Sequence, residues 1–192
     1  MSFSFAWEVS LMEWLQGALG SLAKPIGSFF TMFGEEMILV AILGFLYWCY
    51  NKELAKQIGM MMVVGLVFNP MLKNVVMRRR PYFDHEGIKC LKPVERGADI
   101  YDVSDQGYSF PSAHSMNSGI MYWGLASRIK NKVLRTVLII LPFAVGISRC
   151  ILGVHYPTDV LCGWIAGALI MAVLTAVLKR LRRTWKMYLI FF

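Results

Sequence analysis

The sequence predicts an all-α, polytopic transmembrane helical bundle of about five to six spans, preceded by an N-terminal helix lying in the membrane interface. Three observations carry this expectation. The 192 residues are 57% hydrophobic, with a mean hydropathy of +0.52, against an apolar share of about 45–50% in soluble domains. Apolar runs recur at helical length and are separated by short polar turns. Only one long polar stretch, residues 77–110, interrupts them. The formal charge of +8 does not indicate nucleic acid, because the basic residues flank apolar runs and form no aromatic-interleaved basic domain. Cys49, Cys90, Cys150 and Cys162 contain no CxxC pair and read as small hydrophobes, calling for neither a disulfide nor zinc. The first residues show no basic n-region or clear cleavage site, so no removable signal peptide is expected. One domain is expected over residues 1–192, without internal repeat.

Taken in order, residues 4–23 place Phe5, Val9, Met12, Leu15, Leu19 and Leu22 at helical spacing, with Glu8, Glu13 and Gln16 elsewhere on the wheel. This pattern fits an interfacial helix better than a spanning one, and Lys24-Pro25 is expected to break it. A first span covers about 37–50, with Glu35-Glu36 at one end and Trp48 and Tyr50 at the other. A second, about 54–76, carries Asn69, Pro70, Lys73 and Asn74 in its second half, where polar groups should face protein or a wet cavity. Residues 77–110 form a loop too long for a plain connector, which reads either as a lid or entry rim or as a solvated loop. Residues 112–127 make a helix rich in small and polar residues, ill suited to lipid and therefore central. A basic turn at 128–132 leads to a span over 133–147, in which Pro142 is tolerable as a kink. Pro157 suits the first turn of the last span, 160–178, where Gly163 and Gly167 are spaced for close helix packing. Residues 179–192 form a basic tail expected on the cytoplasmic side.

Alternation of these spans has a firm geometric consequence. Lys73 and Arg80 end one helix, Ser112 and His114 begin the next, Arg149 ends the third, and His155 and Asp159 begin the fourth, so all of them arrive at one face. The opposite face holds Lys52, Lys56, Arg128, Lys130, Lys132, Arg135, Lys179, Arg180, Arg182, Arg183 and Lys186, which the positive-inside rule makes cytoplasmic. The converging residues therefore look outward.

Lys73 and Arg80 lie two helical turns apart and share a face if the helix continues to Met77 or beyond before Pro81 ends it. With Arg149 they supply three cations, whose mutual repulsion is relieved by an anion such as phosphate. Ser112, Ala113 and His114 stand at a helix N-terminus, where free N–H groups and the dipole also favour phosphate. Asp159, in the first turn, is placed to reach back toward His155 and leave its other ring nitrogen more basic. Two histidines then divide the labour of phosphoryl transfer: one attacks phosphorus, the other protonates the departing oxygen. Arg78-Arg79 are expected at the headgroup level, His85 in solvent, and Glu35-Glu36 either beside the site's basic groups or at the membrane boundary.

Lys73-x(6)-Arg80-Pro81, Pro111-Ser112-Ala113-His114 and Ser148-Arg149-x(5)-His155-x(3)-Asp159, in that order, resemble the three motifs of the type-2 phosphatidic acid phosphatase superfamily. The resemblance covers residues 73–159, and Ala113 stands where the family usually has glycine. It implies His155 as a nucleophile forming a phosphohistidine, Asp159 as its partner and His114 as general acid. Lys73, Arg80, Ser112, Ala113 and Arg149 would bind the phosphate, without metal or other cofactor. It further implies a multi-pass plasma-membrane phosphatase acting at the extracytoplasmic face on a lipid phosphate or diphosphate, with undecaprenyl diphosphate the first choice. Phosphatidic acid, phosphatidylglycerophosphate and sphingoid-base phosphates stay open as substrates. A lipid-phosphate transporter or binding protein is the rival of another class. The sequence leaves the oligomeric state open.

Overall fold

The computed structural model describes residues 3–95 and 97–191, with side chains as far as Leu181. The described residues contain helices and no strand. Four helical runs, Ala6–Tyr50, Lys52–Asp84, Lys132–Ile151 and Pro157–Leu181, are long and apolar enough to cross a membrane. A shorter helix lies among them.

The N-terminal run comprises α1 (Ala6–Leu19), a 3-10 turn (Gly20–Leu22), α2 (Ala23–Met32), α3 (Glu36–Phe45) and a π-helical turn (Leu46–Tyr50). The expected break at Lys24-Pro25 falls earlier: Gly20 takes φ +51, and Pro25 sits in the first turn of α2, where its missing N–H costs nothing. The polar face of α1 also points the other way from the interfacial expectation. Glu8 is fully buried, whereas Trp7 and Trp14 are exposed and Glu13 stays exposed as well, so the polar side meets protein at Glu8 and the tryptophans are left outward. Gln16 donates to the carbonyls of Lys89 and Ile151. These bonds tie α1 to the long loop and to the end of the helix that closes at Ile151.

Asn51 caps α4 (Lys52–Val76) by accepting from the Leu54 N–H. Asn69, inside it, donates to the Pro111 carbonyl and is buried, while Asn74, one turn from the end, is exposed. Met77 adopts the left-handed conformation and stops the helix. Lys73 and Arg80 therefore do not share one helical face as expected. Arg80 arrives on an extended segment that precedes the short α5 (Pro81–Asp84). Among the described residues of the remaining long loop only α6 (Val103–Gln106) is helical, and the buried Gln106 braces it by accepting from the Val94 N–H and donating to the Glu95 carbonyl.

The small-residue helix α7 (Ala113–Ala126) is the centre of the bundle, buried along nearly its whole length. It packs against α4, α8 (Lys132–Ile151) and α9 (Pro157–Phe191). Gly163 and Gly167 of α9 allow the closest approach: a Cβ at either would stand 2.6 Å from the Ser112 carbonyl oxygen or 2.8 Å from that of Met116. Below the site, Leu39, Ile58, Met61, Met62, Met116, Ile120 and Leu125 fill the core between α3, α4 and α7. Leu161, Ile165, Leu169, Val173 and Val177 stay exposed at near-helical spacing along α9, an outward stripe that lipid would cover. The basic run at 179–183 does not end α9, which continues to Phe191; the side chains of Arg182, Arg183 and Lys186 lie outside those described. Arg128 lines one cavity with Tyr50 and Leu54 and another with Leu178 and Lys179, so the opposite ends of these helices lie together as alternation requires.

Candidate active site

His155 lies in the tight connection between α8 and α9. Gly153 there takes φ +78, and the Leu152 carbonyl accepts from the Leu91 N–H, so the long loop holds the turn from above. The His155 side chain is 2% exposed. Its Nε2 lies 3.5 Å from Arg80 Nη1. Its Nδ1 has no hydrogen-bond partner among the described residues, and the nearest carboxylate oxygen, Asp159 Oδ2, is 3.7 Å away. The expected reach of Asp159 toward His155 thus stops short of a hydrogen bond. Its Oδ2 instead accepts from the Tyr156 N–H at 2.9 Å and its Oδ1 from Arg78 at 2.6 Å.

The cations converge. Arg80 is held by four backbone carbonyls, those of Gln106, Gly107, Val154 and Tyr108. Lys73 Nζ donates to the Tyr108 carbonyl at 2.9 Å. Arg149, in the last turn of α8, donates through Nη1 to Thr31 Oγ1 at 2.7 Å, while its buried Nε has no partner among the described residues. Burial, followed by the charges of Arg80, Arg149, Lys73 and His114, holds the His155 imidazole well below its usual 6.5. A neutral ring among three cations has a free electron pair for chemistry, and the cations have an unmet demand for an anion.

Ser112 caps α7, accepting from both the N–H and the hydroxyl of Ser115, and its own N–H donates to the Asp159 carbonyl. Ala113 opens α7 in ordinary helical geometry; Met77 is the only non-glycine residue with positive φ among those described. The substitution of alanine for glycine therefore carries no backbone strain. His114 and Arg149 line a cavity of about 430 Å³ with Glu35, Lys92, Pro93, Val94 and Glu95. Lys92 is ion-paired with Glu35 across its mouth, so residues 92–95 of the long loop form a rim. No three His, Cys, Asp or Glu side chains gather as metal ligands would among the described residues.

The structure brings Lys73, Arg80, Ser112, His114, Arg149, His155 and Asp159 to one end of the bundle, and it corrects two expectations beside them. Arg78 is not at the headgroup level: it is completely buried, whereas Arg79 is exposed. His85 is half-buried rather than solvated, bonded to Ser4 and edge-on to Tyr156. Sequence reasoning missed Glu8, Thr31, Arg78, Lys92, Gln106 and Thr158. A carboxylate amid the apolar residues of 4–23 was the one signal that pointed to Glu8; Thr31 and Lys92 offered none.

The model of the PAP2 superfamily matches residues 54–183. The chain is 32% identical over 179 residues to decaprenylphosphoryl-5-phosphoribose phosphatase of Mycobacterium tuberculosis, covering 88% of this chain and 90% of the relative. It is 29% identical over 156 residues to phosphatidylglycerophosphatase B of Bacillus subtilis, covering 76% and 68%. Undecaprenyl-diphosphatase BcrC of Bacillus subtilis is 29% identical over 149 residues, covering 76% and 65%. The fold is similar to the crystal structure of Aquifex aeolicus LpxE, with TM-score 0.76 and 24% identity over 92% of this chain and 99% of that one. With a family match over most of its length and a bundle of membrane-crossing helices, the chain belongs to the PAP2 superfamily, among its multi-pass membrane phosphatases.

Proposed function

We propose that this phosphatase removes the terminal phosphate from a lipid phosphate or diphosphate through a phosphohistidine at His155. The observation that carries the reading is the placement of His155 Nε2 against Arg80, with Arg149 and Lys73 close enough to act on the same ring. His155 Nε2 attacks phosphorus, the bond from phosphorus to the lipid oxygen breaks, and His114 gives that oxygen a proton. Water then attacks phosphorus as His114 takes its proton, the phosphorus–Nε2 bond breaks, and inorganic phosphate leaves with His155 restored. Arg80, Arg149, Lys73 and the N-terminus of α7 at Ser112 and Ala113 stabilise the charge on the five-coordinate phosphorus.

A site at the end of a membrane-embedded bundle favours a substrate that arrives laterally from the bilayer. Undecaprenyl diphosphate is the first choice, in keeping with similarity to an undecaprenyl diphosphatase and to a phosphatase of another polyprenyl-linked phosphate. Similarity to a phosphatidylglycerophosphatase keeps that lipid as the second. The basic residues at the opposite end of the bundle support an extracytoplasmic site in the plasma membrane. The test is phosphate release in detergent from a panel of lipid phosphates and diphosphates, with His155→Ala and His114→Ala as blanks. Both variants are expected to fold and to release none. Turnover by His155→Ala would overturn the covalent mechanism, and binding without release by the unaltered protein would favour a carrier.

A further inference from the structure

On the Nδ1 side of His155, where Asp159 lies, is a buried charge cluster that the phosphoryl-transfer steps do not use. Arg78 is at its centre, with no exposed surface. Its Nη1 donates to Asp159 Oδ1 at 2.6 Å and to Thr158 Oγ1 at 2.7 Å, its Nη2 to Glu8 Oε2 at 2.8 Å, and its Nε to the Phe3 carbonyl at 2.9 Å. The guanidinium is stacked 3.9 Å from the centre of the Tyr156 ring and 4.7 Å from that of Phe3. Glu8 Oε1 in turn accepts from the N–H and hydroxyl of Thr158, the residue next to Asp159. The N-terminal helix, the end of α4 and the first turn of α9 are thus locked together immediately behind the histidine.

A surface helix held only by apolar packing would not bury a carboxylate, since an uncompensated buried charge is costly. Here two carboxylates, Asp159 of α9 and Glu8 of the N-terminal helix, share one guanidinium. The excess negative charge lies behind the ring that would carry positive charge once its other nitrogen bonds phosphorus. Arg78 and the Tyr156 N–H hold the two oxygens of Asp159, with Oδ2 3.7 Å from His155 Nδ1.

We propose that Glu8 and Arg78 are positioning residues that fix Asp159 behind His155, so that the docking of α1 sets the geometry and electrostatic backing of the nucleophile. The proposal rests on the reading of His155 as the attacking group. Neither side chain touches the cavity, so substrate affinity does not depend on them. A shift of about 1 Å in the nucleophile is worth roughly a hundredfold in rate.

The experiment compares Glu8→Gln and Arg78→Lys with the unaltered full-length protein in detergent, measuring kcat and KM for phosphate release. Glutamine turns an N–H₂ group toward Arg78 or Thr158, and lysine cannot bridge both carboxylates. Each is expected to lower kcat by about tenfold or more, with KM within about a factor of two. If either fails to fold, Thr158→Val removes a hydroxyl between the same two groups and reads the same split. A kcat within about a factor of two of the unaltered protein in the folded variants, or a loss confined to KM, overturns the proposal. His155→Ala keeps the two readings apart: turnover by that variant defeats the covalent mechanism itself, whereas an inactive His155→Ala beside fully active Glu8 and Arg78 variants defeats only the positioning role.

Discussion

Arg80 Nη1 stands 3.5 Å from His155 Nε2 and donates to the carbonyl of the preceding residue, Val154, at 2.9 Å. One guanidinium therefore fixes the backbone that carries the histidine and lies beside the ring nitrogen that faces the cations. Positioning and charge stabilisation come from the same side chain, so they cannot be separated by changing it.

Arg80→Lys keeps the charge but loses the fork that serves four carbonyls. Leaving buried acceptors unpaired costs about 1–3 kcal/mol each. The variant is expected to lose at least about 2 kcal/mol of stability by that measure and roughly 10²–10³ in kcat by loss of a preorganised donor. Thermal unfolding in detergent and phosphate release check the two effects; a variant with unchanged turnover would remove Arg80 from the site.

The pH dependence follows from the His155 environment. Burial, Arg80, Arg149, Lys73 and His114 lower its pKa well below 6.5, with Asp159 the carboxylate nearest to it. The ring stays neutral and able to attack as pH falls through 6.5, so the acid limb of kcat/KM for the free enzyme is expected below that value. Because the folded pKa is the lowered one, the unfolded chain takes up the proton first. This group's contribution to stability is complete above pH 6.5 and is lost progressively as pH drops beneath it. An acid limb assigned to His155 above 6.5 would contradict the charge environment described.

With Arg80, Arg149 and Lys73 meeting the phosphate charge, EDTA is expected to leave turnover unchanged. Vanadate, which adopts the five-coordinate shape of the transferring phosphoryl group, is expected to compete with substrate. Inhibition by EDTA that magnesium reverses would show that the cations need a metal to complete their work.

Gly163→Ala tests the contact between α7 and α9. The added methyl would stand 2.6 Å from the Ser112 carbonyl and 3.0 Å from Ser115 Cβ, and a main-chain carbonyl in a buried helix cap cannot turn aside. Overpacking of this kind costs about 1–3 kcal/mol. Since α7 presents His114 and α9 follows His155, the separation should also lower kcat more than it raises KM. Unaltered melting and kinetics would mean that the two helices have room that the packing denies.

Part of this protein is written locally. The apolar runs are long enough to be spans, and their alternation alone sends residues 73, 80, 114, 149 and 155 to the same end, because parity of crossing leaves no other place for them. The small residues of α7 and the Gly163–Gly167 pair announce a central, closely packed helix for the same kind of reason: their side chains offer little to lipid and permit close backbone approach. The motif spacing likewise picks out His114 and Arg149 of the cavity lining, though not Glu35 or residues 92–95 beside them. What it misplaced were charges whose partners lie far along the chain. Arg78 is expected at the headgroups and Glu8 off the apolar face of an interfacial helix, since neither has a local partner to justify burial. Their separations, 70 residues between Glu8 and Arg78 and 81 between Arg78 and Asp159, explain why. A charge enters a protein interior only when its counter-charge is delivered there by another part of the chain, and that delivery is a property of the assembled helices, not of any window of sequence.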